Sequence, residues 1–161
     1  MRRTGIAVAV VAGLALAVGV GVAVSAQLHT AATQKGIFAT MNGAREVNSD
    51  GQTGTGDSNG RGAFSATIDG GKLCYGISVA NIEKPVAAHI HKAAVGKAGA
   101  VVVALKQPGK GDPGASSACT NVESSVANQL RNNPGQFYVN VHTGSLPDGA
   151  IRGQLFTSAG K

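Results

Sequence analysis

His89 and His91 are separated by one residue in Ala88-His89-Ile90-His91-Lys92, and a third histidine, His142, follows in Tyr138-Val139-Asn140-Val141-His142-Thr143. Side chains alternate across an extended strand, so His89 and His91 leave the backbone on one side and Val86, Ala88 and Ile90 on the other. In the later stretch Phe137, Val139 and Val141 point one way and Tyr138, Asn140 and His142 the other. Neutral imidazole suits copper and zinc. Three imidazoles leave a coordination position open, which is the arrangement of a reactive rather than a purely structural site. In an oxidising space copper is the expected ion, and zinc fits the same ligands as second choice. The competing reading is three surface histidines satisfied by Asn140, Tyr138 and water.

Two further charged residues belong to this pattern. Ile151 and Leu155 continue the apolar face on the next strand, with Arg152 and Gln154 opposite. Pairing position 142 with 150 sets 140 beside 152, so His142 and Arg152 project from one sheet face. Arg152 would then draw a small anionic oxidant to the open position, the catalytic part in this reading. Glu46, within Asn42-Gly43-Ala44-Arg45-Glu46-Val47, reads from the residues alone as an ordinary surface carboxylate; its functional alternative is a place beside a histidine or Arg152, around the imidazoles with Tyr138 and Asn140.

Other chemistries lack residues. There is no glycine-rich phosphate loop leading into a helix, no nucleophile elbow and no Cys-x-x-Cys. Basic residues stand singly among few aromatics, which argues against a nucleic-acid groove.

The first 26 residues read as a secretory signal peptide: Arg2 and Arg3 are basic, Gly5 to Val24 is small and apolar, and Val24-Ser25-Ala26 offers a cleavage site. An uncleaved anchor is the alternative, and the only route to a membrane in this reading. Either way the remainder faces a periplasm, cell wall or medium. Its charge is two less than the +6 of the whole chain, because Arg2 and Arg3 leave with the signal. Cys74 and Cys119 are the only cysteines, and an even pair in an exported chain is expected to form a disulfide.

Gln27 to Lys35 is expected as a flexible mature N-terminus and residues 36–157 as one domain. Within it, strands are expected at Gly36 to Met41, Ala63 to Ile68, Lys72 to Val79, around His89, at Ala100 to Leu105, Phe137 to His142 and Ala150 to Phe156. Asp69-Gly70-Gly71 is a hairpin turn, and Ala100 to Leu105 is apolar enough to be central in a sheet. Asn48 to Gly62 reads as a mobile loop and Pro108 to Ser117 as another. One helix is expected, with Thr120 and Glu123 as capping box and Val122, Val126 and Leu130 as its apolar stripe. The fold class is all-β: a single antiparallel Greek-key-like sandwich or barrel with one short helix.

The ordered motifs Asn42-Gly43-Ala44-Arg45-Glu46-Val47, Leu73-Cys74-Tyr75, Ala88-His89-Ile90-His91, Phe137 to Thr143 and Gly149-Ala150-Ile151-Arg152-Gly153-Gln154-Leu155 resemble the CHRD (chordin) domain over residues 36 to 156. The resemblance implies an exported β-sandwich-like domain and marks Glu46, His89, His91, His142 and Arg152 as motif positions. It does not itself supply an activity. The chain departs from the family pattern at Asn48-Ser49, where prolines are common, and at Ala93, where glycine is. A weaker, fold-level similarity is to copper-zinc superoxide dismutase, without an evident zinc cluster or bridging histidine. The sequence thus points to an exported copper-binding domain whose enzymatic form would be a superoxide dismutase-like oxidoreductase; the alternative is a non-catalytic extracellular interaction or matrix domain, its protein partner unnamed.

Overall fold

The structure, a computed structural model, describes residues 35–158. The expected signal peptide and nearly all of the expected flexible N-terminus lie outside the described residues. Nine strands follow in order: β1 (Ile37–Asn42), β2 (Arg61–Asp69), β3 (Lys72–Ala80), β4 (Pro85–Lys92), β5 (Ala100–Leu105), β6 (Gly114–Asn121), β7 (Phe137–Thr143), β8 (Ile151–Gln154) and β9 (Phe156–Thr157). The one α-helix among the described residues, α1 (Ser124–Asn132), lies between β6 and β7. The sheet order is β5-β4-β7-β8-β1-β2-β3-β6, with β9 on β1 and every pairing antiparallel. The sheet is nearly closed on itself. The crossings from β3 to β4 and from β5 to β6 make it Greek-key-like rather than up-and-down.

The period-two pattern sets what lies inside. Ile37, Ala39 and Met41 of β1, Leu73, Tyr75, Ile77 and Val79 of β3, and Phe137, Val139 and Val141 of β7 form one buried cluster. Each large apolar side chain so buried contributes roughly 1.5–3 kcal/mol, and together they fix the register of β7, because a slip of one would turn them outward. The Asp69-Gly70-Gly71 hairpin is present, with Asp69 opposite Lys72 and Gly70 at φ 55°.

Several elements differ from expectation, each for a local reason. Ala100 to Leu105 is not central; β5 pairs only with β4 and ends the sheet, leaving Val101 half exposed. Val86 does not join the core but is 57% exposed, because a bulge between Pro85 and Ala87 reverses the alternation there. Gly114 to Asn121 is a strand rather than loop and helix cap. Thr120 is held extended opposite Leu73, so no capping box forms, and the helix starts at Ser124 with Glu123 making no side-chain cap. The apolar stripe survives with Leu130 and Ala127 buried and Val122 and Val126 against the core. The Asn48 to Gly62 segment is pinned rather than loose: Gly54 donates to Glu46, Gly56 to Gly43 and Asp57 to Ala150 through their backbones, and Val47 is buried. Cys74 and Cys119 sit directly opposite on β3 and β6 and form the disulfide.

Candidate metal centre

β4, β7 and β8 lie side by side, and their faces away from the apolar core carry His89, His91, Tyr138, Asn140, His142, Arg152 and Gln154. The ladder sets His91 opposite Tyr138, His89 opposite Asn140 and Asn140 opposite Arg152. The expected pairing of 140 with 152 is therefore present. Two loops fold over this face. The 93–99 loop is tied down by Arg152 Nη2, which donates to the carbonyls of Lys97 (2.8 Å) and Ala94 (3.3 Å), and by Gln154 Nε2, which donates to Ala93. From the other side, the Leu146-to-Gly149 turn closes with Gly149 N–H donating to Leu146. The result is a second, polar interior outside the main core.

His89, His91 and His142 converge in it: one nitrogen from each lies within 4.8 Å of the others. His89 Nδ1 and His142 Nε2 are 3.1 Å apart. The rings are oriented by backbone carbonyls, which can only accept. His91 Nδ1 donates to Gly99 O at 2.8 Å and His142 Nδ1 to Pro147 O at 2.8 Å. Both rings therefore carry their proton on Nδ1 and present a bare Nε2 lone pair, the tautomer a metal ligand needs. His142 Nε2 also lies 3.1 Å from Asn140 Oδ1, so two groups compete at one lone pair: His89 can donate to it and an amide oxygen cannot. His91 Nε2 is buried with no partner among the described residues.

The electrostatics agree with ligand duty. Burial lowers the pKa of all three histidines below the usual 6.5; His142 and His91 add to the effect at His89, while the Gly99 and Pro147 carbonyls oppose it at His91 and His142. All three are kept neutral and able to coordinate. A metal bonded to two imidazole nitrogens at about 2.0–2.1 Å holds them roughly 3–4 Å apart, so the closest pair has coordination spacing once an ion displaces the proton between them, and the widest needs a ring shift of under about 1 Å. The donor set fits a copper- or zinc-like ion.

The other expected residues surround this group rather than enter it. Tyr138 stacks on His91, and its hydroxyl accepts from Gly99 N–H at 3.2 Å. Arg152 is 2% exposed, lies over the Tyr138 ring and makes no hydrogen bond to an imidazole among the described residues. Glu46 is not a surface carboxylate: it is 1% exposed, accepts from Val47 N–H through Oε1, and leaves Oε2 unpartnered. Burial pushes its pKa from 4.5 up to about 7, against the Val47 N–H and the charge of Arg152. Gly149, at φ 146°, lets the backbone pass where a side chain would overlap the Glu46 carboxyl. What the sequence did not reveal are the carbonyls of Ala94, Lys97, Gly99 and Pro147, since a backbone acceptor leaves no mark on residue type.

Residues 37–155 match the family model described as CHRD domain. No curated protein and no solved structure matches the chain.

Proposed function

The chain belongs to the CHRD-domain family, and from that premise we propose that it is an exported domain that binds a copper-like ion through His89, His91 and His142. The observation that carries this reading is His91 Nε2, a buried lone pair without a partner beside two further imidazole nitrogens. An orphaned buried acceptor costs about 1–3 kcal/mol, which a bound ion would offset. The disulfide supports an oxidising compartment, where structural cystines persist.

Copper held by imidazoles supplies one-electron redox chemistry, and superoxide or a related small anionic oxidant is the substrate class this reading favours. The chain's own residues would hold the tautomers, exclude water beneath the 93–99 loop and, through Arg152, set a positive field under the site. The test is uptake of copper and zinc by the tag-free domain, wild type against His89→Ala, with the fold checked by circular dichroism. Loss of a stoichiometric ion with the fold intact supports the site.

A second reading rests on the bonds the imidazoles already make. His91 to Gly99, His142 to Pro147 and His89 to His142 together staple two loops to the sheet. In that case the protein is a non-catalytic extracellular interaction or matrix domain, and His89→Ala changes stability or partner binding with no metal to lose.

A further inference from the structure

Beside the histidine face, and containing none of its imidazoles, lies a cleft of about 570 Å³ between the Gly43–Arg45 turn, the 93–99 loop and the β8–β9 edge. Its volume is in the range of small-ligand sites, roughly 300–1,000 Å³. The wall is mixed in a particular way. Ala44, Val95 and Phe156 supply apolar surface, and among the described residues the charged ones lining it are Arg45 and Arg152, both cationic. Val95 is 76% and Phe156 49% exposed, so two of the four large hydrophobic side chains that the described residues leave in water meet at this one cleft. Exposed apolar groups gathered at a concavity rather than scattered mark a binding surface.

The two arginines differ. Arg45 is exposed, and one of its nitrogens donates to Thr40 O at 2.9 Å, leaving other donors of the guanidinium free to reach a ligand. Arg152 is closed off from solvent behind the wall, and its charge acts on the cleft through the protein rather than through water, where screening is weak. No carboxylate lines the cleft to balance them.

We propose that this cleft binds a free amphipathic carboxylate of the medium-chain fatty-acid type, its chain against Ala44, Val95 and Phe156 and its carboxylate on Arg45. An apolar body and one anionic end match the apolar wall and the exposed cation of Arg45. A polyanion would leave the apolar groups uncovered, and a cation would meet two like charges. The site shares Arg152 and Gln154 with the histidine face but uses no imidazole and needs no metal.

The experiment titrates decanoate into the metal-free, tag-free domain and follows the methyl resonances of Val95 and Ala44. Saturable binding of one equivalent is expected, with 1-decanol weaker than decanoate. Arg45→Gln, a change on an exposed side chain, should weaken decanoate by about five-fold or more, the worth of one charge-assisted hydrogen bond. Phe156→Ser should weaken both ligands. His89→Ala should bind decanoate as the wild type does, so failure of the metal reading would leave this result standing. Shifts that never saturate, equal binding of decyltrimethylammonium, or an unchanged affinity in both Arg45→Gln and Phe156→Ser would overturn the proposal.

Discussion

The ring of Tyr138 lies flat on the imidazole of His91, with centroids 4.8 Å apart and planes 9° from parallel. Strand pairing produces the contact, since the two residues are directly opposite in the β4–β7 ladder. From β8, on the other side of β7, the guanidinium carbon of Arg152 comes within 3.3 Å of the Tyr138 centroid. A cation, a phenol and an imidazole thus form one column, and the Gly99 carbonyl fixes the imidazole's rotation about the stack. His91 is the most buried of the three histidines, and its Nε2 lone pair has no partner among the described residues.

Removing the middle of that column should separate stability from ring orientation. Tyr138→Phe loses only the bond from Gly99 N–H and should cost about 1 kcal/mol with metal uptake retained. Tyr138→Ala also loses the stack and leaves a void, for about 3–5 kcal/mol, and should weaken metal binding roughly ten- to a hundred-fold. Denaturant titration and metal competition on the two variants check both figures.

Arg152 holds the 93–99 loop through two carbonyls, so Arg152→Met should unpair both and leave Glu46 without its cation. A loss of about 3–5 kcal/mol is expected, as for other broken buried charges. Hydrogen exchange should quicken at Gly99 and along the loop; unchanged protection there would contradict this account of its closure.

Glu46 gives the fold a pH dependence of known sign. Its pKa is raised from 4.5 to about 7, so between these values the folded state binds more protons than the unfolded one. The contribution is full below pH 4.5 and is lost as pH rises through about 7. Glu46→Gln should remove that loss, making the variant relatively more stable at pH 8.5 than at pH 4 by on the order of 2–3 kcal/mol. The histidines, whose pKa values are lowered, run the other way: their contribution is present above 6.5 and fades as pH falls. Denaturation midpoints of both proteins across this range separate the two, and parallel curves would exclude the Glu46 term.

The disulfide closes a loop of 45 residues, worth about 4 kcal/mol in the chain-entropy picture. It joins β6, the last strand of the sheet, to β3. The Cys74→Ser and Cys119→Ser pair of changes should lower stability by about that amount, with exchange rising first along β6.

Much of this was legible in the chain. The apolar alternation of Phe137, Val139 and Val141 is the register of β7, and it places the histidine face without further information. The pairing of 140 with 152 followed from the same alternation carried across a turn. β6 was not legible, because Gly-Ala-Ser-Ser-Ala-Cys-Thr-Asn has no large apolar residue to mark a face; its pairing with β3 and the disulfide hold it extended. Ala100 to Leu105 misled in the opposite sense, since a run of valines reads as a strand buried on both sides wherever it lies. Glu46 looked like a surface carboxylate because its burial depends on Gly149, more than a hundred residues away in sequence, giving up a side chain.

The most direct test of the histidine centre is elemental analysis of the mature, tag-free domain after exposure to one equivalent each of copper and zinc and removal of loosely held metal. One tightly held copper per chain, absent in His142→Ala and released only below pH 6.5, is the result the geometry and the lowered imidazole pKa values predict. A folded, disulfide-intact protein that retains neither metal would contradict it and leave the imidazoles as staples between the sheet and its loops.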